Sequence, residues 1–313
     1  MSEIKLREAD RVEIKVLMDN YTDWLMIESS DTVKRAVVPP GQTLLAEHGL
    51  SLLIKVYTDG EQHTMVMDAA VSAEALMHNV KALNVDLDEV EAVVLSHGHV
   101  DHFGGLLSLF QNLPKESSLF LHPDAFLKRR MNIKPMGICA DLPQLDEREL
   151  EDVGANVSLI KGASTCCSDL IASLGEIERM TDFEKGFPWA EANINGEWIV
   201  DPFHDDQGIN INVRDKGLIV IGGCSHAGII NTIEHARKIS GINRVHAILG
   251  GFHLTGALFE PIIGATVGEV KKTEPDFVIP MHCTGWKAIA EFQKAMPEQF
   301  LLNTVGTTYV FGK

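Results

Sequence analysis

No stretch of this chain approaches the ~20 uninterrupted apolar residues that a membrane-spanning helix needs, so a helical span is excluded. The N-terminal MSEIKLREADRVEIKV is charged throughout and lacks the apolar core of a secretory signal, so export is not expected. Cysteine is sparse and odd in number: Cys139, Cys166, Cys167, Cys224 and Cys283. Two of the five are adjacent, which does not suit a disulfide framework, and a reducing cytoplasm is the expected compartment. Positive charge is also scarce, with 27 Lys and Arg against 44 Asp and Glu, a net charge of −17. Such a surface repels phosphate backbones, so no nucleic-acid partner is expected. The excess acid serves solubility over most of the surface. It leaves room for a locally positive, metal-filled pocket and an anionic small-molecule substrate.

The apolar fraction of 45% is ample for a core. The densest chemistry lies in Val94–Leu106, VLSHGHVDHFGGL. The apolar β-branched run before it reads as a buried strand. His97, His99, Asp101 and His102 follow within six residues, then Gly104-Gly105. Neutral imidazole and carboxylate are ligands of mid-series divalent metals. Residues two apart in extended chain face the same way, so His97 and His99 can aim at one point. Asp101 and His102 lie past the bend and can aim at a second. Donors split two and two imply two metals, each needing further ligands from elsewhere.

Strands are expected at 12–18, 50–58, 64–68, 92–96 and 118–122, with Gly60 turning a hairpin. Ser72 caps a helix through about Asn84, and 106–113 is a second helix ended by Pro114. From Pro123 to about Asn195 the pattern is irregular and no second core is evident. This reads as one domain, 1–313, with an inserted lid at about 123–195. Lys128-Arg129-Arg130 within it can either meet an anionic substrate or form a solvated face. Strands return at 208–214, 218–222, 245–250 and 277–281, with helices at 227–240 and 285–296. Strand and helix alternate in both halves, as in two similar αβ halves packed face to face.

The metal loop, with its leading strand and paired glycines, resembles the signature of the metallo-β-lactamase superfamily. That resemblance implies an α/β fold, the four-layer αββα sandwich, with a one- or two-metal site at one edge of its sheets. Further strings narrow it: LLAEHGLSLLI (44–54), DFEKGFPW (182–189), DDQGININV (205–213), GCSHAGIINT (223–232), GGFHL (250–254) and MHCTGW (281–286). They resemble the subgroup typified by 7,8-dihydropterin-6-methyl-4-(β-D-ribofuranosyl)-aminobenzene-5′-phosphate synthase, a transferase of methanopterin assembly.

The remaining donors are sought where strands end. His282 follows VIPM and matches the superfamily's late histidine, which implies a ligand to the Asp101/His102 metal. His226 follows another apolar strand and can complete the His97/His99 metal. Cys224 stands where many members carry a bridging aspartate; it is either a thiolate ligand or a small buried residue. His204 and Asp206 fall where many members hold a metal histidine, and each is either a ligand or a support. Asp68 resembles the aspartate that supports the metal loop, fixing imidazole tautomers without touching metal. His253 ends a further strand and is either substrate-contacting and proton-handling or structural. His48, His63, His78, His122, His235 and His246 lack such context and read as solvated or core residues. Phe187 and Trp189, in an aromatic loop with Gly186 and Pro188, can hold a flat ring by stacking.

The cofactors implied are two divalent ions, with zinc foremost and iron, manganese or magnesium compatible. The resemblance implies a hydrolase that directs hydroxide generated at the metals, with Asp101 and His253 taking part, onto an ester, lactone or phosphoester. The alternatives are the subgroup's pterin transfer with release of diphosphate, and a non-catalytic sensor that keeps its metals for structure.

Overall fold

In the structure, a computed structural model that describes residues 4–313, two large sheets lie face to face. The first has eight strands in the order Asn156–Leu159, Ser118–Leu121, Val90–Val94, Glu61–Met67, Ser51–Thr58, Arg11–Met18, Thr308–Gly312, Val33–Lys34. The second runs Ser164–Cys166, Ile171–Ser173, Gly208–Val213, Gly217–Gly222, Val245–Gly251, Phe277–Met281, with Glu8–Ala9 beside Gly208–Val213.

Strand alternation builds the layers. In Glu61–Met67, Met65 and Met67 point between the sheets and Val66 points outward. In Gly217–Gly222, Ile219 and Ile221 point inward, while Leu218 and Val220 point outward. The inward set forms one buried cluster shared by both sheets. The outward set of the first sheet packs on helices Ala73–Ala82 and Leu106–Phe110, and that of the second on Ile229–Ser240, Ile263–Lys272 and Trp286–Ala295. Both faces of each sheet are therefore covered, which gives the αββα sandwich.

Local signals mostly act as the sequence suggests. Ser51–Thr58 and Glu61–Met67 pair antiparallel across Asp59-Gly60, both with positive φ (48° and 83°), the signature of a tight hairpin turn. Ser72 Oγ accepts from Ala75 N at 3.3 Å and caps its helix. The helix expected from 227 begins at Ile229, because Gly228 at φ 104° turns the chain first.

The segment 123–195 carries more regular structure than expected: six short strands are spaced along it between loops. Asn156–Leu159 is an edge strand of the first sheet, and Ser164–Cys166 and Ile171–Ser173 belong to the second. The rest contributes to a four-stranded sheet in the order Glu197–Val200, Ala190–Ile194, Arg129–Ile133, Ile138–Asp141. Short strands with polar outer faces carry little periodic signal, which is why the pattern looked structureless. Among the described residues no helix is long and apolar enough to cross a membrane.

Candidate metal centre

Glu61–Met67 and Val90–Val94 run parallel, as do Gly217–Gly222, Val245–Gly251 and Phe277–Met281. The loops leaving their C-terminal ends meet at one edge of the sandwich. Asp68, His97, Cys224, His226, His253 and His282 all sit just beyond those ends. Asp68, His253 and His282 hold positive φ (62°, 43° and 51°), costly backbone kept where function needs a side chain aimed.

Two donor groups result. Asp101, His102, Cys224 and His282 present ligand atoms within 4.8 Å of one another. His102 Nε2 lies 3.1 Å from Cys224 Sγ and 3.2 Å from His282 Nε2, and Cys224 Sγ lies 3.3 Å from His282 Nε2. Asp101 Oδ2 lies 3.3 Å from His282 Nε2 and 3.7 Å from His102 Nε2. Donors ~2.0–2.3 Å from a tetrahedral centre stand roughly 3.3–3.8 Å apart, so these spacings fit one ion. His97, His99 and His226 form the second group under the same 4.8 Å limit. Cys224 is also within that limit of His226 and His253, so its sulfur stands between the groups.

The nitrogens test the fit. His97 Nε2, His99 Nε2, both ring nitrogens of His226 and His253 Nδ1 are buried without a hydrogen-bond partner. A buried polar atom left unpaired costs about 1–3 kcal/mol. One ring nitrogen on each of His97, His99 and His226 can turn its lone pair to a metal ion, while the other nitrogen of His226 carries that ring's proton. Burial holds His97 and His226 well below the ordinary imidazole range, with neighbouring imidazoles adding to the effect. Burial, aided by Arg129, brings His99 down to about 3. These rings are therefore neutral at pH 7, the state a metal needs. Burial also acts against charge on His102, yet the carboxylates of Asp68 and Asp101 outweigh it and lift the ring to about 9. For Asp101 burial is again overcome, by His102 and His282, and its carboxyl is held well below the usual range.

Behind the donors stands a set of carboxylates. Asp68 is fully buried and accepts from Ser96 N at 2.7 Å and Ser96 Oγ at 2.8 Å, with His102 Nδ1 2.6 Å from its Oδ2. It lies outside both donor groups. Asp205 Oδ2 accepts from Gly98 N at 2.9 Å, between His97 and His99. Arg129 holds Asp205 and Asp201, each at 2.7 Å. Asp206 accepts from Ala227 N at 2.8 Å, and burial pushes its carboxyl up to about 6. Asp19 accepts from His282 N at 2.8 Å. Replacing Asp68 with alanine is expected to weaken metal binding by ~10–100-fold while the fold is retained. Competition with a chelator measures this, and unchanged affinity would remove Asp68 from the supporting role.

Several sequence readings need correction. His204, expected as a ligand or a support, has a side chain 53% exposed that faces Asp124 at 3.3 Å, and it joins neither donor group. Arg129 is buried in its carboxylate pair, and Arg130 pairs with Glu191 at 2.7 Å and stacks on Trp198 at 4.2 Å. Neither is available to an anionic substrate. His48, read as lacking context, has Nε2 3.4 Å from Asp101 Oδ2 and its ring 4.8 Å from His282. The string LLAEHGLSLLI contained it, but its neighbours offer no donor pattern. Cys283, which the sequence offers only as one of five cysteines, is buried beside Cys224, its Sγ 3.5 Å from Cys224 O.

The aromatic loop lies on the metal side. The Phe187 ring centroid is 5.4 Å from that of His253 and 5.2 Å from that of Phe259. Trp189 stands 6.4 Å from Phe187. A cleft of about 250 Å³ opens here, lined by Phe183, Phe252 and Phe259 with His226 and His253. Glu184, unsuspected from sequence, accepts from Ile230 N and Asn231 N at 2.9 and 3.0 Å and ties this loop to the helix start.

Comparison with known proteins gives the family and the fold. The family profile described as "Metallo-beta-lactamase superfamily" matches residues 47–131. The chain is 34% identical over 261 residues to 7,8-dihydropterin-6-methyl-4-(beta-D-ribofuranosyl)-aminobenzene-5'-phosphate synthase of Methanocaldococcus jannaschii, covering 82% of this chain and 87% of that protein. It is 30% identical to an uncharacterized protein of the same organism, over 83% and 92% of the two chains. A solved structure of Tm1679, described as a metal-dependent hydrolase of the beta-lactamase superfamily, superposes with a TM-score of 0.73 at 23% identity, over 96% of this chain and all of that one. With its HGHVDH loop, its strand-end histidines and these matches, the chain belongs to the metallo-β-lactamase superfamily, in the subgroup that contains the methanogen synthase.

Proposed function

We propose that the protein is an enzyme that holds two divalent metal ions and hydrolyses an ester, lactone or phosphoester of an anionic small molecule. The observation that carries this reading is the set of partnerless nitrogens on His97, His99 and His226 beside the four-donor group of Asp101, His102, Cys224 and His282. Bound there, such ions supply Lewis acidity and acidify water near neutral pH. The chain's own residues do the rest. Asp101, 17% exposed, keeps one side open and can orient a water by hydrogen bonding. His253, with Nδ1 free and its ring centroid 4.3 Å from His226, is placed to pass a proton to a leaving group. The rings of Phe187 and Phe259 pack against His253, with centroids 5.4 and 4.4 Å away. With a net charge of −17 and a narrow cleft, the substrate is a small molecule rather than a nucleic acid or a membrane lipid.

A second reading is pterin transfer with release of diphosphate. It is supported by the 34% identity to the synthase and by the aromatic wall, which suits a flat ring. Elemental analysis followed by a panel of phosphoesters, esters and lactones, and then the pterin and aryl ribosyl phosphate pair, tests both. The first reading expects about two ions per chain and water-dependent turnover. Diphosphate release only with the pterin pair would replace it with the second, and bound metal without any turnover would leave a sensor. Phe187→Ala is expected to raise KM by about 5–10-fold with bound metal unchanged. An unchanged KM for the true substrate would take the aromatic loop out of the binding site.

A further inference from the structure

The adjacent cysteines Cys166 and Cys167 take no part in either donor group. They end the strand Ser164–Cys166 and open the turn into Ile171–Ser173. That turn lies toward the edge of the sandwich away from the donors. Along Gly208–Val213, Gly208 pairs with Gly222 at the metal edge, whereas Ile171 pairs with Ile211, nearer the Val213 end.

Neighbouring residues of a strand point to opposite faces, but these two do not. Cys166 stands across from Ile171, and both pack into the cluster between the sheets. Alternation would send Cys167 the other way. Its backbone is left-handed instead (φ 52°), as are those of Ser168 and Asp169 (54° and 62°), and Cys167 packs into the same inter-sheet cluster. Three such residues in a row, none of them glycine, need holding. Leu170 N donates to Cys167 O at 3.1 Å, and Arg7 donates from N to Asp169 O at 2.8 Å and from Nη1 to Ser168 O at 3.1 Å. Cys166 is half-buried and Cys167 is buried. A hydrogen bond with Cys166, followed by burial, holds the Cys167 thiol far above its ordinary range. Two thiols on one side of a clamped turn, one within reach of solvent and one behind it, have the layout of an attacking and a resolving cysteine.

We infer that Cys166 and Cys167 form a peroxide-sensitive dithiol that closes reversibly into a vicinal disulfide. The Cys166 sulfur attacks the O–O bond of a hydroperoxide and becomes a sulfenic acid, releasing water from hydrogen peroxide or an alcohol from an organic one. The Cys167 sulfur then attacks the Cys166 sulfur, and the sulfenic hydroxyl leaves as water with the Cys167 proton. Two thiol hydrogens and two electrons thus pass to the peroxide. Adjacent Cα atoms stand ~3.8 Å apart, closer than the ~4.4 Å at which ordinary disulfides begin, so the ring is strained and readily reduced. The reaction needs neither the metals nor turnover.

The tryptic peptide 162–179 contains Cys166, Cys167 and no other cysteine, so its mass reads the site. Metal-loaded full chain is treated with hydrogen peroxide, alkylated and digested. The expected peptide is lighter by two hydrogens and takes up no alkylating agent until dithiothreitol restores both thiols. Cys139, exposed and without an adjacent thiol, reports that peroxide has acted. Free thiols at 166 and 167 after Cys139 is oxidised would overturn the proposal. So would a disulfide from either residue to another cysteine, or irreversible sulfinic acid at Cys166. In Cys167→Ser the Cys166 sulfenic acid should persist, and its trapping by dimedone should rise about tenfold over the unaltered chain. Equal trapping in both would remove Cys167 from the resolving role and the proposal with it. The peptide map of the unaltered chain decides even if that variant does not fold.

Discussion

Replacing His226 with alanine is expected to lower turnover by at least ~10³-fold and to reduce bound metal from about two ions per chain to about one. The ring is buried, both its nitrogens lack protein partners, and it completes the group with His97 and His99. The Asp101, His102, Cys224 and His282 group does not include it, so that ion should remain. The loss should be in kcat more than in KM, because Phe183, Phe252 and Phe259 still wall the cleft that His226 also lines. Phe203 stacks on His226 at 4.3 Å and will lose that contact, so a modest fall in stability is also expected. Elemental analysis paired with steady-state kinetics decides the matter. A variant that kept both ions and full turnover would exclude His226 from the centre.

Replacing Arg129 with alanine is expected to destabilise the fold by about 3–5 kcal/mol. Its guanidinium is 2% exposed and faces Asp201 and Asp205, which are themselves buried. Without it two carboxylates remain in a dry interior with no countercharge. They must take up protons or draw in water, and either route strains the Asp205 bond to Gly98 N. Metal affinity should therefore fall together with stability, although Arg129 touches no donor atom in either group. Chemical denaturation of the metal-free protein gives the stability term free of ligand linkage. A change under about 1 kcal/mol would show that the pair carries little net energy, as some buried ion pairs do.

The site was legible in the sequence wherever a donor directly follows an apolar strand. His97, His226, His253 and His282 each do, and the structure gathers them at one edge. The period-2 alternation that marks a half-buried strand also fixes where its end projects, so strand-end histidines carry positional information. Donors outside that pattern did not. His204 and Asp206 read alike as a ligand or a support, yet the His204 ring faces Asp124 and the Asp206 carboxylate is buried. Arg129 looked like part of a surface run because its partners lie 72 and 76 residues away. No local pattern announces a pairing of that range. His48 reaches Asp101 only because Ser51–Thr58 lies next to Glu61–Met67, which in turn neighbours the strand of the metal loop. The strands of 123–195 failed for a different reason. They are mostly three to five residues long and half exposed, too short for periodicity to show.

The central claim is that two ions sit between these particular side chains. Anomalous diffraction at the zinc absorption edge, from crystals of protein loaded with zinc, measures it directly. Two peaks are predicted, one enclosed by His97, His99 and His226, the other by Asp101, His102, Cys224 and His282, with donors ~2.0–2.3 Å from each. A single peak, or peaks away from these residues in fully loaded protein, would contradict the account.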